Sequence, residues 1–471
     1  MRGSTAMLTR RRAPGPSIGP VPLDTDALTR HLLFTGGTGS GKSHTMYRII
    51  EALIRLGCCI IVACAKFTEA AQIRRICERA GALDRYHPIT PDGPLRVNLA
   101  DYLMTMPGGS TAQATRFLMR LNEISVRQDG SRGDEAYWAN LFEQGTNCSL
   151  DLPRLAYGTG TLKDAYDALA TSPASREEIN SDAYKASKCG QMLEAASRLR
   201  KREFDAGTRD PRTERRYERV VDFFLRELAT VGSKGRGAVL SMNSGLTGRL
   251  LVDFHDLFCT ETTLDFARAE REGWVMPIDA PVLTHDVAGK VVNAAFIMLF
   301  QMYALRRDAS TVSRPLIICR DEAAQFLIPD WDWNVATVAR SHMLSHIDAV
   351  QGLEVLESAL GGDMKAEREA QAFASQHRTL IAFGNNEPKT NEYVSKLIGM
   401  ERDFMMSAQP RPEQPKEISS LDDVLGCAQG YGYSEQYQPI IRPEEFARFD
   451  VGQCVLMSGG RYRFLDLKEK R

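Results

Sequence analysis

Residues 31–43 read His-Leu-Leu-Phe-Thr-Gly-Gly-Thr-Gly-Ser-Gly-Lys-Ser, and the end of this stretch fits the phosphate-loop pattern G-x-x-x-x-G-K-[ST]. Glycines let backbone N–H groups converge on a phosphate, and the dipole of a following helix favours the same anion. Lys42 is expected to reach the β- and γ-phosphates and Ser43 to ligate Mg²⁺. The predicted nucleotide-binding residues are Gly36, Gly37, Thr38, Gly39, Ser40, Gly41, Lys42, Ser43 and His44.

The flanking sequence supplies the structural context that this loop requires. His31–Thr35 is typical of a short buried strand, and 42–56 carries apolar residues on one helical face. Gly57 ends that pattern, and the continuous apolar run 58–65 is typical of a parallel strand covered on both faces. Strand, helix and strand at this spacing predict a βαβ unit and an α/β core.

A second acidic site is expected where the apolar run 316–319 ends in Arg320, Asp321 and Glu322. Carboxylates that follow a strand lie at the edge where open α/β sheets bind ligands. Asp321 is predicted to hold Mg²⁺ through water, and Glu322 to orient and activate the attacking water. Gln351 ends a later apolar stretch and is predicted to sense the γ-phosphate, with an exposed polar strand end as the alternative. Arg340 is a candidate to reach a neighbouring subunit's nucleotide, and a surface salt bridge is the alternative.

The composition of the whole chain is that of a globular protein. Its 471 residues are 43% hydrophobic and 25% charged, with a net charge of −1, so composition alone indicates neither a nucleic-acid binder nor a membrane protein. No apolar run approaches the roughly 18 residues that span a bilayer, and 291–305 is interrupted by Asn293 and Gln301. The ten cysteines contain no CxxC pair, which favours a reduced, cytoplasmic compartment.

The chain divides into four predicted parts. Residues 1–22 form a flexible basic tail, 23–107 the first part of the nucleotide-binding core, 108–228 an inserted all-α domain, and 229–471 the second part of the core. Strands are expected at 274–276, 282–283, 316–319 and 379–383, and a helix at 291–305. Gly459-Gly460 between two alternating runs predicts a C-terminal β-hairpin.

The order of these motifs resembles the TraD/TraG-type coupling proteins of conjugation and type IV secretion, within the HerA–FtsK superfamily of ring ATPases. The matching stretches are 30–33, 36–43, the pair at 321–322, 351–353, 378–379, 383–386 and 395–399, from about residue 20 to the C-terminus. The resemblance implies a RecA-like core that hydrolyses ATP with Mg²⁺; the preference for ATP over GTP rests on the resemblance alone. It also implies that Gln351 is the γ-phosphate sensor and Arg340 a trans-acting arginine finger, hence a ring, typically a hexamer.

Two departures from the family bear on function. Coupling proteins usually carry N-terminal transmembrane helices, and this sequence shows none, so we expect a membrane-free variant, a truncated form or a relative with another role. The expected location is the cytoplasm, either without an anchor or at the inner face of the membrane through a separate membrane subunit. The family often has Asp-Pro-Lys-Gly-Glu after the second core strand, where this chain has 64–68, Cys-Ala-Lys-Phe-Thr. Lys66 is retained but the acidic residue is absent, so this loop is assigned no role.

The predicted function is translocation of DNA, or a DNA–protein complex, with a relaxase or accessory protein bound at the all-α domain. DNA is expected to be gripped through its phosphates without sequence specificity. Residues 232–237 are the candidate pore loop, with an ordinary linker as the alternative, and the basic run 198–219 is expected to be a solvated helical face. Two further functions stay open: a HerA-like translocase in DNA processing or defence, and an ATP-switched adaptor that recruits protein substrates.

Overall fold

The computed structural model describes residues 17–18, 21–23, 25–126, 135–231, 233–311, 314–409 and 430–468. Its strands are β1 Ser17–Ile18, β2 Val21–Pro22, β3 Leu32–Thr35, β4 Cys59–Ala63, β5 Val275–Ile278, β6 Leu316–Arg320, β7 Leu344–Val350, β8 Thr379–Phe383, β9 Met400–Gln409, β10 Gly430–Pro439, β11 Gln453–Ser458 and β12 Arg461–Asp466. Eight of them form one sheet in the order β12-β11-β8-β3-β7-β6-β4-β5. The predicted phosphate loop therefore follows a strand at the centre of the sheet.

The α-helices of the first part of the chain are α1 Thr25–Thr29, α2 Lys42–Arg55, α3 Glu69–Ala80, α4 Leu99–Thr105, α5 Thr111–Val126, α6 Glu135–Tyr157, α7 Leu162–Ala170, α8 Asp182–Lys185, α9 Lys188–Asp205 and α10 Pro211–Asp222. Those of the second part are α11 Ser233–Asp253, α12 His255–Phe258, α13 Phe266–Glu272, α14 Val282–Arg306, α15 Asp332–Ala339, α16 Leu353–Ala359, α17 Met364–Gln376 and α18 Pro388–Ile398.

The central strands are apolar because both faces of the sheet are covered. Strands β3, β4, β6, β7 and β8 are buried along their whole length. One apolar cluster joins α2 and α3 to one face of the sheet, and a second joins α14 to the other. The pairs β3–β7, β3–β8, β6–β7, β4–β6 and β4–β5 are parallel, so the ends of these strands meet at one edge.

Helix α14 is the one candidate membrane span among the described residues, by length and hydropathy, and 89% of its apolar window is buried inside the structure. The polar residues that interrupt its apolar run, Asn293 and Gln301, are buried too, and each is hydrogen-bonded. The helix is therefore a core element. It also includes Val282 and Leu283, so the strand predicted there is wrong: a short apolar pair does not distinguish a strand from the first turn of a buried helix.

Helices α4 to α13 lie between the first part of the sheet and its return at β5. Helix α11 begins at Ser233, after the predicted end of the insert at residue 228, and packs against α6 and α7. The prediction of a flexible pore loop at 232–237 is wrong for its described residues, 233–237, which form the first turns of α11. There Arg236 donates to the carbonyls of Ser172 and Pro173, which fixes this turn to the insert.

The C-terminal part of the chain adds three antiparallel pairings: β9 with β10, β11 with β12, and β11 with β8. β9 and β10 pair along their whole length, from Met400 opposite Pro439 to Gln409 opposite Gly430. The predicted hairpin is confirmed: β11 pairs with β12 through Gly459 and Gly460, both of which have positive φ. A two-residue turn with two positive φ angles suits the twist of a hairpin and favours glycine. Of the predicted tail, residues 1–16 lie outside the described residues.

Candidate functional site

The phosphate loop connects β3 to α2 and is fixed by the C-terminal half of the chain. The N–H of Gly37 donates to the carbonyl of Gly384 at 2.8 Å, and the N–H of Gly452 donates to the carbonyl of Ser40 at 3.0 Å. Gly36 has φ +147°, and a Cβ there would lie 2.7 Å from the Cβ of Phe383. Only glycine suits this position, because both the backbone conformation and the close approach exclude a side chain.

Lys42 is the first residue of α2, and its ammonium group is turned onto the loop. Its Nζ donates to the carbonyl of Gly36 at 2.5 Å and to that of Gly37 at 3.0 Å. Burial lowers the pKa of Lys42, and the charges of Glu322 and Asp321 act in the opposite direction. The side chain therefore lies against the loop whose N–H groups would receive a phosphate, and its contact with the β- and γ-phosphates stays a prediction.

Asp321 and Ser43 meet although 278 residues separate them in the sequence. The Ser43 hydroxyl donates to Asp321 Oδ1 at 2.8 Å, and the Tyr47 hydroxyl to Oδ2 at 3.3 Å. Burial raises the pKa of Asp321, while the hydrogen bond from Ser43 lowers it. A hydroxyl and a carboxylate oxygen that converge in this way are the hard ligands that Mg²⁺ prefers, so the pair fits the predicted metal role.

Glu322 follows Asp321 and forms an ion pair that the sequence analysis missed. Its Oε1 lies 3.3 Å from the Nζ of Lys66, in the loop after β4 that was assigned no role. Glu69, at the start of α3, lies on the other side of Lys66, and burial raises its pKa to about 7. The sequence could have placed Glu69 near the site, because a carboxylate just after the second core strand lies at the same edge of the sheet.

Gln351 lies at the predicted place, directly after β7 and beside the strand that carries the phosphate loop. Its side chain is exposed, and its carbonyl accepts a hydrogen bond from Asn385 Nδ2 at 3.0 Å. Gln351 lines a cavity of about 880 Å³ together with Gly37, Asn385 and Lys290. The cavity joins the proposed sensor to the phosphate loop, and Lys290 of α14 forms part of its wall.

The turn after Gln351 is shaped by Glu387. Its carboxylate accepts the N–H groups of Leu353 at 3.1 Å and Glu354 at 2.7 Å, at the start of α16. A Cβ on Gly352 would lie 1.7 Å from Glu387 Oε2. A side chain at position 352 would therefore displace the Glu387 carboxylate from the two N–H groups that it accepts.

Arg340 does not lie near the phosphate loop of its own chain. It is exposed, in a short 3-10 turn before β7, whereas the loop follows the end of β3. Because β3 and β7 are parallel, these positions lie at opposite edges of the sheet. The length of the strands thus separates Arg340 from the nucleotide site of its own chain. Its role at the nucleotide of a neighbouring subunit stays a prediction.

A buried charge cluster lies in the sheet behind the acidic pair; we call Arg320, Asp332, Asp348 and His377 the Arg320 cluster. The fully buried guanidinium of Arg320 donates to Asp348 at 2.6 and 2.9 Å and to Asp332 at 2.7 Å. The Nε2 of His377 lies 2.9 Å from Asp348 Oδ2, and its Nδ1 lies 2.9 Å from the carbonyl of Phe373. The buried guanidinium is therefore paired with two carboxylates, and His377 adds a further hydrogen bond to one of them. Arg320 directly precedes Asp321, so the cluster fixes the end of β6.

Residues 315–451 match the family described as the TraM recognition site of TraD and TraG, and residues 13–63 match the central domain of the helicase HerA. No curated protein sequence matches the chain.

Solved structures match over nearly the whole chain. They include the unbound bacterial conjugative coupling protein TrwBdeltaN70 (16% identity, 98% of this chain and 91% of that chain, TM-score 0.57). TrwB in complex with ADP and Mg²⁺ has the same identity and coverage with a TM-score of 0.58. VirB4 of Thermoanaerobacter pseudethanolicus is 11% identical over 97% of this chain and 95% of that chain, with a TM-score of 0.52.

The comparisons confirm two of the predictions. The chain resembles the TraD/TraG-type coupling proteins, and its fold is the predicted RecA-like phosphate-loop core with an inserted all-α segment. At 11–16% identity, the structural likeness shows the fold alone. The roles of the individual site residues are therefore argued from their geometry.

Proposed function

We propose that the chain is a ring-forming ATP hydrolase that moves DNA, or a DNA–protein complex, in conjugative transfer or type IV secretion. One observation carries the hydrolase: the contact between Ser43 and Asp321, which joins the phosphate loop to the acidic strand end. Glu322 lies at the same edge of the sheet. Gln351 directly follows β7, which lies between β3, the strand before the phosphate loop, and β6, the strand before Asp321. This is the arrangement that phosphoryl transfer to water requires.

In this proposal each residue has one task. Lys42 binds the β- and γ-phosphates, and Ser43 with Asp321 holds Mg²⁺, which neutralises charge on the phosphates when it is bound. Glu322 accepts a proton from the attacking water and Gln351 contacts the γ-phosphate. Arg340 completes the site of the neighbouring subunit, and its exposure at the opposite edge of the sheet supports a contact between subunits.

The partners belong to the same proposal. TrwB is described as a plasmid coupling protein and has been solved with ADP and Mg²⁺, and its fold supports a coupling function here. The match at 315–451 supports a relaxosome protein as a partner. Because these residues belong to the second part of the core, we assign that part a share of the contact. A hexamer that grips DNA phosphates without reading bases is the working form, on the cytoplasmic side of the membrane.

The test is the steady-state rate of ATP and GTP hydrolysis with and without single- and double-stranded DNA, with particle mass measured by light scattering. The unchanged chain is compared with Glu322→Gln and Arg340→Ala. Glu392→Gln serves as a control because Glu392 forms an exposed ion pair with Lys396 on α18. DNA-stimulated hydrolysis in ring-sized particles, lost in both site variants and kept in the control, supports the proposal. Slow hydrolysis by a monomer, indifferent to DNA, would refute the motor and favour the adaptor.

A further inference from the structure

Lys66 lies between two carboxylates. Its Nζ is 3.3 Å from Glu322 Oε1 and 3.8 Å from Glu69 Oε1. The lysine side chain is 45% exposed, whereas those of Glu322 and Glu69 are 26% and 5% exposed. Lys66 is therefore the most exposed of the three side chains, and its ammonium group lies within ion-pair distance of both carboxylates.

Glu69 is built to receive it. Its Oε2 accepts the backbone N–H groups of Ala65 at 2.6 Å and Lys66 at 3.2 Å, which fixes the carboxylate beside the loop. Its Oε1 is buried and makes no hydrogen bond within the described part of the chain. A buried acceptor without a donor costs free energy, so Glu69 offers a favourable second position for the ammonium group.

The two positions have opposite consequences for Glu322. While Lys66 is paired with Glu322, one oxygen of that carboxylate is already in contact with a donor and is less available to the attacking water. When Lys66 pairs with Glu69 instead, both oxygens of Glu322 are free to orient water. Lys66 thus controls the group that the mechanism needs without itself being required to touch the substrate.

We propose that Lys66 is a positioning residue that restrains Glu322 and releases it by transferring to Glu69. This inference rests on the proposed function, because it assigns Glu322 as the base. Partly exposed ion pairs are weak, corresponding to a factor of about five at most in an equilibrium constant. The transfer is therefore easily driven by a contact with the loop. Phe67 makes such a contact possible, because its side chain follows Lys66 and is 77% exposed.

The first test compares Lys66→Met with Lys396→Met, a matched control on an exposed helix face. Lys66→Met is expected to raise kcat without DNA about two- to fivefold, to leave KM for ATP unchanged and to reduce DNA stimulation by the same factor. Glu69→Gln is expected to lower kcat with DNA, because the ammonium group loses its charged second partner. The double variant should have the same kcat values as Lys66→Met, because Glu69 acts through Lys66 in this proposal. A merely structural role of the two residues would not give this result.

The second test is independent of turnover. The structure determined with Mg²⁺ and a non-hydrolysable ATP analogue should show Lys66 Nζ hydrogen-bonded to Glu69 Oε1 and separated from Glu322. A lower kcat or a higher KM in Lys66→Met would overturn the proposal and identify Lys66 as a phosphate ligand. An unchanged kcat would overturn it as well. If the unchanged chain neither binds nor hydrolyses nucleotide, the proposed function fails and this inference with it, whereas normal hydrolysis with an inert Lys66→Met refutes the inference alone.

Discussion

The Arg320 cluster allows a sharp prediction about stability. Asp348→Asn removes one of two negative charges from a group whose side chains are almost wholly buried, and it leaves Arg320 and His377 with a single carboxylate, Asp332. Breaking a buried ion pair by removing one charged partner, here that of Arg320 with Asp348, costs about 3–5 kcal/mol of the free energy of unfolding. The loss should be large because Asp348 accepts three hydrogen bonds, two from Arg320 and one from His377.

The assay is urea unfolding at neutral pH, followed by tryptophan fluorescence and far-ultraviolet circular dichroism. Asp330→Asn is the matched control, because Asp330 pairs with Lys365 at the surface, with side chains 50% and 62% exposed. Exposed pairs contribute about 1 kcal/mol or less. A midpoint for Asp348→Asn that falls no further than that of Asp330→Asn would refute the argument, since the buried ion pair would then contribute no more to stability than the exposed one.

Three further predictions concern single positions. Gly36→Ala should weaken binding of a fluorescent ATP analogue about 10- to 100-fold. The φ of Gly36 is +147° and an added Cβ would lie 2.7 Å from Phe383, so the loop has to move. Unchanged affinity would contradict the loop geometry. Gly352→Ala should lower kcat about tenfold with nucleotide binding retained, because its Cβ would displace Glu387 and shift the adjoining sensor; equal turnover would show that this turn does not position it. Glu69 has a pKa raised from 4.5 to about 7, so its contribution to stability is present below pH 4.5 and is lost as the pH rises through 7. The Glu69→Gln side chain cannot ionise, so at pH 8 the variant should have a free energy of unfolding up to about 3 kcal/mol higher than the unchanged chain, and at pH 4 no higher. Thermal unfolding at the two pH values measures this difference. An equal gain at both would contradict the burial of that charge.

The local part of the site was predictable from the sequence. β3, the phosphate loop and α2 are consecutive in the chain, and glycine spacing, apolar runs and helical periodicity all act over a few residues. Asp321 was predictable for the same reason, because it directly follows an apolar strand. Gln351 was predictable in position, since β7 lies beside β3.

The remaining features depend on contacts between distant segments. The ion pair of Lys66 with Glu322 joins residues 256 positions apart, and no local pattern indicates it. The Arg320 cluster likewise consists of charged residues, which the sequence alone would place at the surface. The surrounding helices bury them. Helix α11 was missed because its glycines lower helix propensity, and packing against the insert overrides that preference.

The position of β3 has a consequence for synthesis of the protein. Both strands that pair with it, β7 and β8, follow it by roughly 300 residues or more. At about 5–20 residues per second, β3 leaves the ribosome some 15–60 seconds before its neighbours exist. During that interval an apolar strand with two open edges needs shielding from other chains, which makes the nascent chain a natural client of chaperones. Any fragment that stops before β7 lacks both neighbours of the strand that carries the phosphate loop, so the nucleotide site is among the last parts of the molecule to form.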